Sequence, residues 1–566
     1  MRGGARAVAL LVGALGLGGQ ALLRPRLEAR QVEAGLVVAA EGQAGMTADL
    51  AVPVLALGAF RGLVVDYLWL RSGTLREQGR HFEARQVAEQ LCRLQPRLPD
   101  VWVYLGHDLA YNVASAVEEP EARWRWVQNG IELLRDHGLR HNPGDPELCF
   151  MLARTLQDKI GTTTDDHHMR YKAWHAEQMV RAMGDTPLAA LAAAPSLAAL
   201  TEGDRAARAL VLRAAAAGLE GPAALATPAA LEAVPELAGD PAWPRVAAAA
   251  RAEVLRERLR LDPARMLRLD ATYGPLDWRG VDAVTVYWAS VGLEGAERRR
   301  RHRDAYAARR TIHAALKNAV RRGRVERLEG AVFLAPLPAL VPKVDALLRA
   351  GIDEAERVVA ALEPAGRRGA LSPEDEERID AAATFLRNQR SAREGFLGEA
   401  IVILAENGLE DEARRLHARA GRDFPGTEFE RLGYDEFILG VLARRFVDAG
   451  IYDSQQGMTQ LLEGTWVSAY TQLALGEDAR YRGLEALARA SQRRWDAYLA
   501  SLDEPDAVAR LGVRYEDVRR RALRVAAERL PPLLQERLAE RAGVSREDLL
   551  RPSPPGSGPT RPGERR

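Results

Sequence analysis

An all-α fold built from stacked helical hairpins is what this sequence predicts, and three observations carry that expectation. Alanine, leucine and arginine dominate the 566 residues while β-branched residues are thin, a composition that favours helix nearly everywhere. A helix–glycine–helix–proline unit occurs in two widely separated segments, 75–106 and 394–427. The stretches around them place apolar residues at helical spacing. A chain this long outgrows a single core, which seldom exceeds about 250–300 residues, so several cores or one long stack are expected.

Residues 1–26 open with Arg2 and Arg6 and continue as an uncharged run from Ala7 to Leu23. That run, as a helix, reaches about 25 Å, the lower limit for a bilayer core of about 30 Å. We expect an uncleaved signal-anchor, a single transmembrane helix. No cysteine follows the run, which excludes lipoprotein processing. Arg24, Arg26 and Arg30 balance Arg2 and Arg6, so charge does not select a sidedness. A second apolar stretch, 51–73, contains Arg61 and Asp66. They are not spaced to pair on a helix, and burying both in lipid is expensive. A core helix packed on the first hairpin is the expectation there.

Residues 50–185 carry the first hairpins. Gly79 permits a tight bend, Ala84 a close helix approach, and Pro96 a helix stop, because proline lacks the amide donor and clashes with the preceding turn. Trp102, Leu105 and Gly106 then open the next unit. Residues 118–138 supply its second helix, with Trp124, Trp126 and Val127 available for packing. Pro143 closes it, and Leu152, Ala153 and Leu156 take first-helix positions. Downstream, within 391–550, Leu404, Gly408, Glu412, Ala413, Ala420 and Pro425 follow the same order, and the helix from Tyr434 begins another unit.

This order of residues resembles the tetratricopeptide repeat, whose pattern runs over about 34 residues. The resemblance implies an α-solenoid with a concave groove lined by first helices. By position the liners are Val103, His107 and Tyr111 in one unit, and Phe150, Arg154, Gln157 and Asp158 in the next. The Lys/Asn arrangement of chaperone-tail-binding members is absent, since Val103 and His107 stand where it would begin.

Between the two hairpin regions, residues 186–255 are rich in alanine and proline and read as short helices and turns in a loosely packed insertion or linker. Residues 256–390 form a helical middle region. Its segment 272–289 has a Gly274–Pro275 turn flanked by Tyr273 and Trp278, which we expect to pin a loop onto a helix. With 60–71 and 94–106, this segment resembles uncharacterised membrane-anchored repeat proteins of planctomycete-type bacteria, over residues 50–185 and 255–450. That likeness implies a bacterial inner-membrane location and carries no known reaction. Where that family often reads Trp-Arg-Leu-Pro, this chain has Trp278-Arg279-Gly280-Val281.

Arg298–Arg327 holds twelve Arg/Lys against Asp304 and Glu326 and reads as a basic helix. It meets either an anionic membrane surface or nucleic acid, or else it is a solvated face neutralised by acids such as those of 371–380. With Tyr306 as its one aromatic, it is poorly equipped for stacking on single strands. Net charge is +1, from 79 basic and 78 acidic side chains, so no global attraction to nucleic acid is implied.

The strongest chemical feature is 162–179, where Asp165, His168 and His175 can share a helix face as an enzyme or metal site. The competing reading is a capped helix start. Cys92 and Cys149 are expected as buried free thiols, being too few for a disulfide framework. Nucleophile-elbow, phosphate-loop and zinc-helix motifs are absent, and no cofactor or catalytic residue is indicated. The tail 551–566, rich in proline, glycine and charge, is expected to be disordered. The function these features point to is a membrane-tethered scaffold that holds a protein or peptide partner without catalysing a reaction.

Overall fold

The computed structural model describes Arg30 and residues 61–227, 234–237, 239–328, 331–446, 455–501 and 511–550. The expected anchor, the stretch 51–60 and the tail 551–566 lie outside these residues. Among the described residues the fold is all-α apart from one two-stranded hairpin, and no helix is long and apolar enough to cross a membrane. The chain forms two compact units, one of residues up to Thr155 with Trp288–Ala308, the other of Leu156–Tyr287 with the residues from Arg309 onward.

The first unit begins with α1 (Arg61–Glu77), α2 (His81–Leu94), α3 (Pro99–His107), α4 (Pro120–Glu132) and α5 (Pro146–Thr155). Helices α1 and α2 pack as a hairpin whose bend falls at Gly79, with φ +72°. This is left-handed backbone that a Cβ disfavours. Ala84, Leu91 and Cys92 bury their side chains in the seam. Helix α2 ends just before Pro96, and the Pro96 carbonyl accepts from Trp102 Nε1 at 2.8 Å and from Asn142 Nδ2 at 2.9 Å. Trp102 therefore ties α3 to the end of α2 as well as filling space. A Cβ at Gly106 would lie 2.5 Å from Leu134 Cγ, and one at Gly130 2.8 Å from the Gly106 carbonyl. These glycines let α3 and α4 approach almost backbone to backbone. Both helices run on into π-helical turns, Asp108–Val113 and Leu133–Gly138. Cys92 and Cys149 are buried and free.

The second unit takes in α6 (His168–Met183), α7 (Trp243–Arg258) and α8 (Pro263–Tyr273). Where loose packing was expected over 186–255, the described residues have a core of their own around α7, including Leu210, Leu225, Leu237, Trp243 and Val246. Proline here starts helices instead of loosening them, with Pro222 and Pro244 in first turns. Alanine on buried faces lets short helices sit close.

Helix α9 (Val281–Arg298) and helix α10 (His302–Arg322) each span the boundary between the units. The loop before α9 was expected to be pinned onto a helix by its aromatics; the hydrogen bonds that hold it instead come from Asp277 and Arg279 and reach the extended backbone at Val325. Trp278 is buried, Asp277 pairs with Arg279 at 2.7 Å and accepts from the Val325 amide at 2.8 Å, and Arg279 donates to the Val325 carbonyl at 2.7 Å.

The basic segment corrects the sequence reading. It is no single helix over 298–327: it breaks after Arg298, resumes at His302 and stops at Arg322. Strands β1 (Arg324–Leu328) and β2 (Ala331–Ala335) then pair antiparallel, Val325 opposite Leu334 and Arg327 opposite Val332. Just past the helix end, Gly323 sits so close to the Ala319 backbone that a Cβ there would collide with it, so the turn into the strand needs glycine. The alternation after it suits a half-buried strand. Arg309 pairs with Glu354, Arg321 with Glu399, and Arg324 with Glu477.

The C-terminal helices are α11 (Val341–Gly366), α12 (Pro373–Glu406), α13 (Glu410–Asp423), α14 (Tyr434–Phe446), α15 (Gln455–Leu475), α16 (Asp478–Ser501), α17 (Tyr515–Arg529) and α18 (Pro532–Ala542). Ser372 caps α12, its hydroxyl accepting from the Asp375 amide at 3.1 Å. Helices α12 and α13 form a hairpin that turns at Gly408, φ +76°, with Ala413 and Ala420 fully buried. Helix α15 is the hub of the last layer, packing on α16, α17 and α18 around a fully buried Trp466.

Candidate functional site

The α12–α13 turn and the helices after it enclose a groove of about 850 Å³, within the range of pockets that hold ligands. One end is formed by the Asn407–Leu409 turn, one wall by α14 through Tyr434, Ile438 and Leu439, and the opposite wall by α16. Gly483 brings these parts together. A Cβ there would lie 2.5 Å from the Glu406 carbonyl oxygen and 2.6 Å from the Gly408 amide nitrogen. Only glycine lets α16 approach the turn so closely.

Along α16 the groove is lined by Ala479, Gly483, Ala486 and Ala490, spaced four, three and four residues apart. That alternation keeps one face of a helix turned toward the space. Arginines frame it. Arg414 pairs with Glu410 at 2.7 Å and Asp435 at 2.9 Å, and its guanidinium stands 4.2 Å from the centre of the Tyr434 ring. Arg494 pairs with Glu436 at 2.7 Å. Arg482 and Arg493 are exposed lining residues, and neither pairs with a carboxylate among the described residues. Arg482 donates only to the Asp478 carbonyl, at 3.3 Å. The Tyr434 hydroxyl is buried without a hydrogen-bond partner. Burial, helped by Glu410 and opposed by Arg414, pushes it up to about 12, so it stays a neutral donor.

A second polar concentration lies around the start of α6. Asp165 is buried, pairs with Lys159 at 3.1 Å and accepts from the His167 amide at 3.1 Å. His168 Nδ1 lies 3.0 Å from Lys172 Nζ, which donates to the Thr162 carbonyl at 2.8 Å. Asp282, in the first turn of α9, is fully buried. Its carboxyl is held by Asn318, with Oδ1 left without a partner. Burial raises it to about 7 against the opposing pull of Lys172, and burial likewise lowers Lys172 to about 8. The sequence reading missed Lys172 and Asp282 here. Asp282 is a charged residue within an otherwise apolar helical run, which was the available signal; Lys172 stands among other polar residues and carries none.

Asp165, His168 and His175 do not assemble as a metal site; among the described residues no three His, Cys, Asp or Glu side chains do. Asp165 precedes α6 and holds the turn into it, whereas the N-cap position is His167, whose side chain makes no capping bond. Of the expected groove liners, His107 and Tyr111 are brought together, their rings stacked at 4.5 Å. Val103 is half-buried beside them on α3. On α5, Phe150 is half-buried and Arg154 exposed. Gln157 and Asp158 are half-buried in the π-helical turn Leu156–Gly161 of the second unit. The arginine-framed groove drew no notice in the sequence because its lining comes from residues up to 89 positions apart, Ala405 to Arg494.

Comparison with protein-family models, curated proteins and solved structures finds no match to this chain.

Proposed function

We propose that this protein is a helical scaffold that docks a protein segment in the groove between the α12–α13 turn, α14 and α16, and that the uncharged run 7–23 tethers it to a membrane. The observation that carries the docking reading is the groove itself, framed by two arginines that no carboxylate of the described residues satisfies. The tetratricopeptide-like order of residues over 394–427 supports the same reading, since stacked hairpins leave concave faces. The membrane tether rests on the charge frame and length of the N-terminal run alone.

Photo-crosslinking from position 490, in full-length protein expressed in native membranes, tests the docking reading. Discrete adducts that disappear when Ala486→Trp fills the groove are expected. The same adducts from a photo-probe on the far face of α16, or none at all, would overturn it. Carbonate extraction with and without residues 1–26 tests the tether.

A further inference from the structure

Resting on the docking reading, we infer that the groove takes an acidic α-helix, one that presents two carboxylates about three turns apart to Arg482 and Arg493. Three features converge on that occupant. First, the charge balance of the lining is uneven. Glu410 and Asp435 are spent on Arg414, and Glu436 on Arg494, while neither Arg482 nor Arg493 pairs with a carboxylate of the described residues, Arg482 using only its Nε on the Asp478 carbonyl. A cationic partner meets repulsion here and an anionic one meets two forked donors suited to carboxylates.

Second, the spacing selects a helix. Arg482 and Arg493 are eleven residues apart on α16, so they lie on nearly the same face, separated by about 16 Å along the axis. A partner helix with acids at i and i+11 reproduces that span on one face. Acids at i and i+7 reach only about 10 Å. Third, the wall between the arginines is made of Ala486 and Ala490, with Leu487 and Leu439 beside them. Small side chains allow a second helix to come near, and the leucines give its apolar residues a surface to cover. An extended strand has no sheet edge to pair with here, because the groove is bounded by helices and a turn.

The test is fluorescence anisotropy of the full-length protein with labelled peptides of about 18 helix-favouring Ala/Leu/Gln residues. One peptide carries Glu at i and i+11, a second Lys at those positions, and a third Glu at i and i+7. The first is expected to bind at least about tenfold more tightly than either other, weakening with salt. Arg482→Glu and Arg493→Glu are each expected to remove that preference while leaving thermal unfolding unchanged, both side chains being exposed. The double reversal is expected to transfer preference to the Lys peptide. Equal binding of the Glu and Lys peptides, no binding of the i, i+11 peptide, or indifference to both substitutions would overturn the inference. Groove-dependent adducts from position 490 combined with any of those results would leave docking standing and dismiss only the acidic helix.

Discussion

His313 Nδ1 lies 3.3 Å from the Gln389 side-chain oxygen in a site where both residues are buried. The ring also packs near Phe385, and a Cβ at Gly351 would sit 3.2 Å from its Cε1. Burial lowers the imidazole to about 4, the Gln389 contact opposing and Lys317 and Arg309 assisting. The unfolded chain binds this proton near 6.5 and the folded chain does not until about 4, so stability is lost as pH falls between those values. The loss amounts to about 3 kcal/mol at most. Chemical denaturation from pH 7 to 4 is expected to show it, and His313→Gln to flatten that part of the profile.

Asp282 has the opposite sign. Its carboxyl is protonated in the folded chain up to about 7 but ionises near 3.8 when unfolded, so it erodes stability as pH rises through that interval and the penalty is complete above it. Asp282→Asn is expected to match the parent at pH 4 and to exceed it at pH 8 by on the order of 2–4 kcal/mol. A difference that stays constant with pH would show that this carboxyl does not titrate in the interval.

Arg393 bridges Asp345 at 2.8 Å and Asp423 at 2.5 Å, joining α11, α12 and α13, with Arg393 and Asp345 almost closed to water and Asp423 half-buried. Asp345 is also held by Arg419 at 2.5 Å. Arg393→Met removes one guanidinium from each carboxylate while Arg419 still holds Asp345 and Arg349 still holds Asp423, and is expected to cost about 1.5–3 kcal/mol. Adding Asp345→Asn to that variant is expected to recover a large part, measured as the coupling energy of a double-mutant cycle.

Gly483→Ala places a methyl against the backbone of Glu406 and Gly408, neither of which is the yielding end of a side chain. A loss of about 1–3 kcal/mol is expected, seen as a lowered unfolding temperature. Because the same contact shapes one end of the groove, binding of the Glu-bearing peptide is expected to weaken as well.

Local grammar was legible in the sequence wherever one residue dictates its own backbone or stops a helix. Gly79 and Gly408 turn where expected, Pro96 follows a helix end, and Trp102, Ala413 and Ala420 are buried inside hairpins. The β-hairpin was misread because arginine content overshadowed Gly323 and the alternation that follows it. The core around α7 was misread because alanine and proline were taken for looseness, whereas small side chains pack closely. The groove and the Arg393 network stayed hidden for another reason. Both join residues from helices far apart in sequence, and no local pattern records which helices will face each other. Assembly as a solenoid is a matter of that same long-range pairing.

The chain carries only two sulfhydryls, Cys92 and Cys149, each sealed inside the first unit, and burial drives Cys92 up to about 12. Thiolate reagents at neutral pH therefore have no ready target in the native protein. A single cysteine engineered at the rim of the groove would accept a maleimide dye or spin label against a silent background, so distances to a docked helix become measurable without first deleting any natural residue.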